Sequence, residues 1–292
     1  MKKYIYKFLT KAGYKFENKG KERKRKVQYL AKYDAVKNVD LLVKSFLFIQ
    51  NIESKFSSIK IVDKGPGVLF TFDNTTVYLE TPEEFFIVNE IFYSNDYNFC
   101  TNEEVVVVDI GANIGLASLF FSSKENVKKI YAYEPVSITY SQAKFNLDLN
   151  KNKVVELNNF GLGKADKKEI FLFNKEVKGN TGSRGELSLS FVESNVEEVE
   201  VSIKKASPVL KEIIKQNKGF KIVLKVDCEG AEYEIFEDLD ASGILNQIDF
   251  AMIEWHDKGN EILEKILLKY KFSSFSYQLS VNTGMIYAFR AQ

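Results

Sequence analysis

The chain has 292 residues, of which 45% are apolar, so it can bury the core of one large domain or of a medium-sized domain with an appendage. Its 41 basic and 40 acidic side chains leave a net charge of +1, which argues against non-specific nucleic-acid binding by the chain as a whole. The two cysteines, Cys100 and Cys228, fit neither a metal-binding spacing nor a disulfide framework. We therefore expect a reducing, cytoplasmic environment.

The N-terminal segment, residues 1–26, is strongly basic. Lys7, Lys11, Lys15 and Lys19 recur every four residues, a spacing that puts lysines on one face of a helix. Solvation alone explains such a face, and contact with an acidic partner, a membrane surface or a phosphorylated substrate is the alternative. The segment lacks the continuous apolar stretch of a signal peptide, and no apolar run in the chain reaches the ~18 residues of a membrane span.

Residues 1–100 are expected to form an N-terminal appendage. A helix is predicted over residues 34–56. The alternating pattern of residues 67–80 predicts a β-hairpin with its turn at residues 73–74. A Thr-Pro pair at residues 81–82, followed by two glutamates, predicts the start of a short helix.

From residue 103 onward strands and helices alternate, which predicts an α/β domain over residues 101–292. Strands are expected near residues 105–109, 129–134, 153–158, 220–227, 248–255, 272–280 and 284–290. Helices are expected near residues 114–123, 137–150, 206–217, 230–238 and 258–269. The sheet should be mostly parallel, with the last two strands pairing antiparallel at one edge.

Residues 168–203 interrupt this alternation. A stretch rich in Gly, Asn and Ser separates the strand-like segments EIFLF and VEEVEVSI. Loops of this composition on a rigid scaffold commonly hold substrates, so we expect a substrate loop near residues 174–195.

The segment EEVVVVDIGANIGLASLFFS carries the strongest functional pattern. Val105–Val108 read as a strand that is buried on both faces, and Asp109 ends it. Gly111 and Gly115 bracket a tight turn that leads into a helix. A strand, a glycine turn and a helix place backbone N–H groups and the positive end of a helix at the carboxyl edge of the sheet, where small ligands bind.

The glycine spacing distinguishes between two kinds of cofactor. A dinucleotide site needs G-x-G-x-x-G, but this chain has Ala112 in place of the second glycine, which disfavours a pyrophosphate and an NAD-dependent dehydrogenase. Glu134 follows the next strand, where an acid accepts hydrogen bonds from ribose hydroxyls. A nucleoside-like ligand without phosphate, held by Asp109 and Glu134, indicates S-adenosylmethionine. A plain α/β fold with a glycine-containing loop is the alternative.

A second segment, KIVLKVDCEGAEYEIF, repeats this logic. Its strand ends at Asp227, which should lie at the same sheet edge as Asp109. No basic residue adjoins Asp227 in the sequence, so its carboxylate needs a partner or a ligand. Glu229 is either a second acid at this edge or a helix N-terminal acid that interacts with the helix dipole.

The strand IDFAMIEWH ends in Glu254, Trp255 and His256. His256 is the single histidine of the chain, and a histidine at this edge is a candidate general base at neutral pH. Glu254 and His256 alternate and can share one side of the strand, whereas Trp255 should face into packing. An ordinary polar residue at a strand end is the alternative for His256.

These segments together resemble the FkbM family of S-adenosylmethionine-dependent methyltransferases. The resemblance covers about residues 103–290 and rests on VVDIGANIGLAS, YAYEP, NNFGLGKADKKEIFLF, LKVDCEGAEYEIF and IEWH. It implies a Rossmann-like class I methyltransferase fold and methyl transfer to oxygen, often to a hydroxyl of a sugar or a secondary metabolite. The first hundred residues carry no family motif.

The resemblance also implies roles for individual residues. The first turn should shape the cofactor pocket through Asp109, Gly111, Ala112, Asn113 and Gly115. Glu134 should hold the ribose, and Asn159 and Phe160 should lie against the adenine. Asp227 should face the sulfonium and orient the acceptor hydroxyl, and His256 is the proposed base.

Three questions stay open at this point. The acceptor is expected to be a small molecule of sugar type, either a nucleotide-activated sugar or a surface glycan precursor. Mg²⁺ or Mn²⁺ is an option that the spacing does not demand, with ligands from Asp227, Glu229, Glu254 and His256. The alternatives are a non-catalytic protein that binds the cofactor, or a methyltransferase acting on another natural product, a protein or a nucleic acid, which the basic segment keeps open.

Overall fold

The computed structural model describes residues 19–178, 182–183 and 196–290. Lys7, Lys11 and Lys15 of the predicted lysine stripe lie outside these ranges, as does most of the predicted substrate loop. In the described part of the chain, no helix combines the length and the apolar composition that crossing a membrane requires.

The N-terminal part consists of three helices followed by a small antiparallel sheet. The helices are α1 (Lys19–Leu30), α2 (Val39–Lys44) and α3 (Phe46–Lys55), and the strands are β1 (Ile59–Lys64), β2 (Gly67–Phe72) and β3 (Thr75–Leu79). β2 and β3 form the predicted hairpin, with Asp73 in the left-handed conformation at its turn. The hairpin prediction is therefore confirmed.

The single helix predicted over residues 34–56 is wrong, because the chain forms two shorter helices there. Asp63 of β1 accepts hydrogen bonds from the backbone N–H groups of Lys37 and Asn38, at 2.9 and 3.1 Å. A distant carboxylate thus binds the N–H groups that precede α2, and the helix begins only at Val39.

The helix α4 (Pro82–Val88) begins as predicted. Thr81 Oγ1 accepts a hydrogen bond from the Glu84 N–H, and the Glu84 side chain accepts one from the Thr81 N–H. A π-helical turn, Asn89–Ser94, follows directly and is capped by Asn95 in a left-handed conformation. It leads the chain to Tyr97, which lies at the edge of the second sheet described below.

The remaining elements follow in chain order. The strands are β4 (Val105–Ile110), β5 (Val127–Tyr133), β6 (Val155–Asn158), β7 (Gly161–Gly163), β8 (Lys167–Asn174), β9 (Gly182–Ser183), β10 (Val196–Lys205), β11 (Lys221–Val226), β12 (Phe250–His256), β13 (Phe272–Gln278) and β14 (Thr283–Arg290). The helices are α5 (Leu116–Ser122), α6 (Ser137–Leu149), α7 (Ala206–Gln216), α8 (Glu232–Ser242) and α9 (Glu261–Lys269).

Seven of these strands form one sheet in the order β13-β14-β12-β11-β4-β5-β6. The five strands from β12 to β6 are parallel, whereas β14 pairs antiparallel with both β12 and β13. This confirms the predicted mostly parallel sheet with an antiparallel edge. A smaller sheet in the order β7-β10-β8-β9 contains the two strands predicted within residues 168–203.

The two faces of the large sheet bury different parts of the chain. Val106 and Val108 pack with α7, α8 and α9, whereas Val105 and Val107 pack with α5 and the N-terminal part. Phe92, for example, meets Phe120 edge to face with ring centroids 5.7 Å apart. The N-terminal part thus shares a hydrophobic core with the sheet and lies against the edge where the central strands end.

Candidate active site

A cavity of about 380 Å³ lies at the carboxyl ends of β4, β5, β11 and β12. Its volume falls in the range of small-molecule sites. The first glycine turn and Glu134 line one end, and Asp227, Glu229 and Glu254 line the other. The structure therefore brings most of the residues predicted at this edge into one cavity.

Gly111 allows the glycine turn to pass close to the loop that carries Asp227. It has a φ of +80°, and a Cβ at this position would lie 1.7 Å from the backbone oxygen of Asp227. The N–H groups of Gly111 and Ala112 both donate to the carbonyl oxygen of Tyr133, at 3.1 and 2.9 Å. Gly115, also with a positive φ, is the N-cap that directly precedes α5. The turn is thus fixed against both neighbouring strands, and it requires glycine at position 111.

Glu134 is held by the same turn. Its Oε2 accepts the N–H of Asn113 at 3.0 Å, and its Oε1 accepts the N–H of Val136 at 2.9 Å. Burial raises the pKa of Glu134 to about 8, although these two N–H groups act in the opposite direction. Each carboxyl oxygen keeps a further lone pair for a ligand in the cavity.

Asn113 offers a second polar group at this end of the cavity. Its Oδ1 is buried and has no hydrogen-bond partner within the described residues. A buried acceptor of this kind needs a donor, and ribose hydroxyls or an ammonium group supply one. Asn113 and Glu134 together fit the adenosyl part of S-adenosylmethionine.

Asp109 lies beneath the cavity and is not among the residues that line it. It is fully buried, accepts a hydrogen bond from Ser118 Oγ at 2.6 Å, and lies 3.1 Å from Lys225 Nζ. Lys225 Nζ also donates to the carbonyl oxygen of Gly111 at 2.6 Å. Asp109 therefore supports the turn through Lys225, which was not among the predicted site residues.

The expectation that Asp227 has no basic neighbour is wrong. Lys225 lies two residues earlier, on the same side of the strand, and its Nζ is 3.6 Å from Asp227 Oδ2. The i, i+2 spacing of Lys225 and Asp227 in KVD was the available signal. Lys225 thus contacts both Asp109 and Asp227.

Asn159 and Phe160 do not line the cavity. Asn159 donates hydrogen bonds to the carbonyl oxygens of Glu134 and Pro135, and Phe160 packs against Tyr133 with ring centroids 5.2 Å apart. Gly161 and Leu162 line the cavity instead. A direct adenine contact by Asn159 and Phe160 stays a prediction.

Tyr97 joins two carboxylates at the other end of the cavity. Its hydroxyl lies 2.9 Å from Asp227 Oδ2 and 3.3 Å from Glu254 Oε2. Burial and the Asp227 carboxylate raise the pKa of Glu254 to about 7. Tyr97 comes from the N-terminal part, 130 residues before Asp227, and no sequence pattern marked it.

His256 lies behind the cavity wall, with 4% of its surface exposed, and does not line the cavity. Its Nδ1 is 3.3 Å from Glu232 Oε1, and its Nε2 is 3.7 Å from both Glu229 Oε2 and Glu254 Oε1. Burial alone would lower the pKa of His256, but these three carboxylates raise it well above its usual value. The ring is enclosed by these carboxylates and lies outside the cavity lining, so the geometry does not support His256 as the general base.

Two roles were considered for Glu229, and the structure divides them: Glu232 is the acid at the start of the helix, and Glu229 is the second acid at the sheet edge. The helix α8 begins at Glu232, which is fully buried and accepts the N–H groups of His256 and Gly230 at 2.7 and 2.8 Å. Glu229 precedes the helix in a left-handed conformation and lines the cavity. Trp255 is buried in the hydrophobic core that contains Val106 and Val108, as expected.

The start of the predicted substrate loop is tied to the N-terminal part. Lys178 is buried, and its Nζ lies 2.9 Å from carboxylate oxygens of both Glu80 and Glu84 and 2.5 Å from Gln142 Oε1. Lys178 also lines the cavity. The structure thus places the beginning of this segment beside the site.

Comparison with known proteins identifies the family. The methyltransferase FkbM domain matches residues 109–277. Methyltransferase 1 of Beauveria bassiana is 30% identical over 200 residues, which cover 64% of this chain and 79% of that protein. Methyltransferase sdnD of Sordaria araneosa is 30% identical over 215 residues, which cover 61% and 82%.

The crystal structure of methyltransferase FkbM from Methylobacillus flagellatus KT superposes with a TM-score of 0.45 at 13% sequence identity, covering 85% of this chain and 60% of that one. The family match spans more than half of the chain and contains the glycine turn, Glu134, Asp227 and His256. The chain therefore belongs to the FkbM family of methyltransferases.

Proposed function

We propose that the protein transfers a methyl group from S-adenosylmethionine to a hydroxyl group of a small, sugar-type acceptor. One observation carries this proposal: a single cavity joins the Asn113–Glu134 end to the Tyr97–Asp227–Glu254 end. The first end suits an adenosyl group, and the second offers carboxylates to a hydroxyl.

The charge of the cavity supports a cationic methyl donor. Nine carboxylate side chains and two lysines are among the described residues that line it. Clefts lined by one sign of charge concentrate ligands of the opposite sign. S-adenosylmethionine carries a sulfonium and an ammonium group, which would favour the charged forms of Glu134 and Glu254, whose pKa values burial raises, so this acidic lining suits it better than a dinucleotide with its phosphates.

The acceptor end supplies a route for the proton. An alcohol attacks well only if its proton leaves during the reaction, and a positioned base contributes roughly 10²–10⁴-fold. Asp227 and Glu254 both line the cavity and share the Tyr97 hydroxyl. We assign orientation of the acceptor hydroxyl to Asp227 and acceptance of its proton to Glu254, in place of His256.

The electron balance of this step is simple. The acceptor O–H bond breaks as its proton passes to the carboxylate, and the oxygen forms a bond to the methyl carbon. The bond from this carbon to sulfur breaks with its electron pair on sulfur, which leaves S-adenosylhomocysteine. Alignment of the oxygen, carbon and sulfur can supply on the order of 7–11 kcal/mol of the barrier reduction.

The acidic lining also bears on the class of acceptor. The phosphates of a nucleotide-activated sugar would lie close to Asp227, Glu229 and Glu254. An uncharged sugar hydroxyl avoids this repulsion, so the acidic excess of the whole lining, nine acidic side chains against two lysines, favours a neutral sugar or glycan precursor. The two free cysteines support a cytoplasmic location for the same activity.

An acceptor screen that measures release of S-adenosylhomocysteine tests this function. The panel contains neutral sugars and glycan precursors, nucleotide-activated sugars, peptides and RNA, and mass spectrometry locates the added methyl group. We expect an O-methylated neutral sugar-type product, and Asp227→Asn should bind the cofactor but release little product. Methylation of peptide or RNA, or cofactor binding with no product across the panel, would contradict the proposal.

A further inference from the structure

We propose that Asp227, Glu229 and His256 form a binding site for one divalent cation, of the Mn²⁺ or Mg²⁺ type, at the acceptor end of the cavity. One ligand atom from each residue lies within 4.8 Å of the other two. Two ligands on opposite sides of such a cation, each about 2.1–2.4 Å from it, lie about 4.2–4.8 Å apart. The three side chains thus already surround a volume of the right size.

The orientation of His256 is the second observation that indicates a cation. Glu232, which is fully buried, contacts Nδ1 at 3.3 Å and also accepts the backbone N–H of His256 at 2.7 Å. The carboxylate oxygens that face Nε2, those of Glu229 and Glu254, are 3.7 Å away, which is longer than a hydrogen bond. Within the described residues, Nε2 of this buried side chain therefore faces two carboxylates of the cluster and makes no hydrogen bond.

This arrangement is the one that metal-binding histidines adopt. Such a histidine usually donates one ring N–H to a carboxylate, which leaves the other nitrogen as the ligand. Here Glu232 is the carboxylate on Nδ1, and Nε2 faces the oxygens of the cluster. Glu232 has no access to the cation itself and acts as a positioning residue through His256.

The local charge also calls for a cation. Asp227, Glu229 and Glu254 lie together; Lys225, 3.6 Å from Asp227, is shared with Asp109, and His256 is 3.7 Å from both Glu229 and Glu254. Buried carboxylates need a compensating charge or a metal ion. A divalent cation here would supply two positive charges beside the acceptor oxygen, a role that rests on the proposed function.

The ligand set favours Mn²⁺ or Mg²⁺ over softer metals. Carboxylate oxygens suit Mg²⁺ and Mn²⁺, and the single imidazole makes Mn²⁺ the better match of the two. The described cysteine nearest in sequence, Cys228, contacts Glu232 and is not part of the cluster. Glu254 stays free of this ligand set and can still accept the acceptor proton.

Electron paramagnetic resonance measures Mn²⁺ binding directly and without turnover. The full-length chain is first treated with a chelator and then titrated with Mn²⁺ in the absence of S-adenosylmethionine. We expect one bound Mn²⁺ per chain, competition by Mg²⁺, and an affinity at least about tenfold lower in Glu229→Gln and in Asp227→Asn. Circular dichroism verifies that both variants are folded.

Glu234→Gln is the matched control. Glu234 belongs to the first turn of α8 and also lines the cavity, but it contacts Lys167 and lies outside the cluster. Its substitution should leave Mn²⁺ affinity unchanged. A wild-type chain that binds no Mn²⁺, or folded Glu229→Gln and Asp227→Asn variants that bind it as tightly as wild type, would overturn the cation site.

Calorimetry with S-adenosylmethionine separates the two proposals. A chain that binds this cofactor but no Mn²⁺ loses the cation site and keeps the proposed function. A chain that binds Mn²⁺ through Asp227 and Glu229 but does not bind the cofactor keeps the cation site and loses the proposed function.

Discussion

Lys225 Nζ lies 3.1 Å from Asp109 Oδ1 although only 2% and 0% of the two side chains are exposed. The residues are paired in register on the neighbouring strands β11 and β4. Because the Lys225 ammonium also contacts the Gly111 carbonyl and the Asp227 carboxylate, this ion pair links the glycine turn to the acceptor end of the cavity.

Lys225→Met should destabilise the protein by about 3–5 kcal/mol, because it leaves the Asp109 carboxylate buried without its counter-charge. Urea denaturation followed by circular dichroism measures the change. Lys221→Met is the control on the same strand, since the Lys221 ion pair with Asp249 is partly exposed and should contribute no more than about 1 kcal/mol. Equal destabilisation in the two variants would contradict this role of the ion pair.

Gly111→Ala should abolish cofactor binding and lower the melting temperature. A Cβ at this position meets the Asp227 backbone oxygen at 1.7 Å, so either the turn or the loop after β11 must move. Gly219→Ala is the matched control, because Gly219 also has a positive φ, of +97°, but no atom of the described residues lies within 4 Å of the place its Cβ would take. The control should cost only about 1 kcal/mol, the backbone penalty alone. Cofactor binding by Gly111→Ala at wild-type affinity would show that the turn does not form the pocket.

Glu134 should make stability fall as the pH rises. Its pKa is about 8 in the folded chain, compared with about 4.5 when unfolded, so over this interval the unfolded chain releases a proton that the folded chain keeps. The contribution of Glu134 is thus most favourable below pH ~4.5 and is progressively lost up to pH ~8. Glu134→Gln should flatten the pH dependence of the unfolding free energy over this range and also weaken cofactor binding. Urea titrations in buffers ~0.5 pH units apart between pH 5 and 8 measure the unfolding free energy. A Glu134→Gln variant with the same pH dependence of this free energy as wild type would contradict the assignment.

Tyr97→Phe should reduce turnover and leave cofactor affinity nearly unchanged. The substitution keeps the buried ring but removes the hydroxyl shared by Asp227 and Glu254. A hydrogen bond to a charged group contributes about 1.5–3 kcal/mol, so kcat/KM should fall roughly 10- to 100-fold. Tyr93→Phe, on the exposed side of the π-helical turn, is the control and should retain wild-type kcat/KM. A Tyr97→Phe enzyme with wild-type kinetics would remove Tyr97 from the site.

The sequence was sufficient to predict the elements whose signals are local. Val105–Val108 are buried on both faces and read as a continuous apolar run, and the glycine turn after them was recognisable from its spacing. The hairpin at residues 67–80 and the capped start of α4 also carry local patterns. The start of α2 at Val39 could not be predicted in this way, because the N–H groups before it bind Asp63, a residue on a strand that follows the helix.

The candidate site shows the same difference between local sequence signals and contacts that depend on distant residues. Asp227 and Glu134 directly follow strands and Glu254 lies near the end of one, so these acids could be placed at the sheet edge from the sequence. Tyr97 could not, because its position depends on how the N-terminal part packs against the sheet. His256 was placed on the right strand, but its exclusion from the cavity depends on Glu232, whose side chain turns back from the first position of α8.

A crystal structure of the chain with S-adenosylhomocysteine tests the central claim most directly. The ribose hydroxyls should lie within hydrogen-bond distance of Glu134, the Asn113 side chain should contact the ligand, and the sulfur atom should face Asp227. A ligand bound outside this cavity, or one whose ribose lies away from Glu134, would contradict the proposed cofactor site and the methyl transfer derived from it.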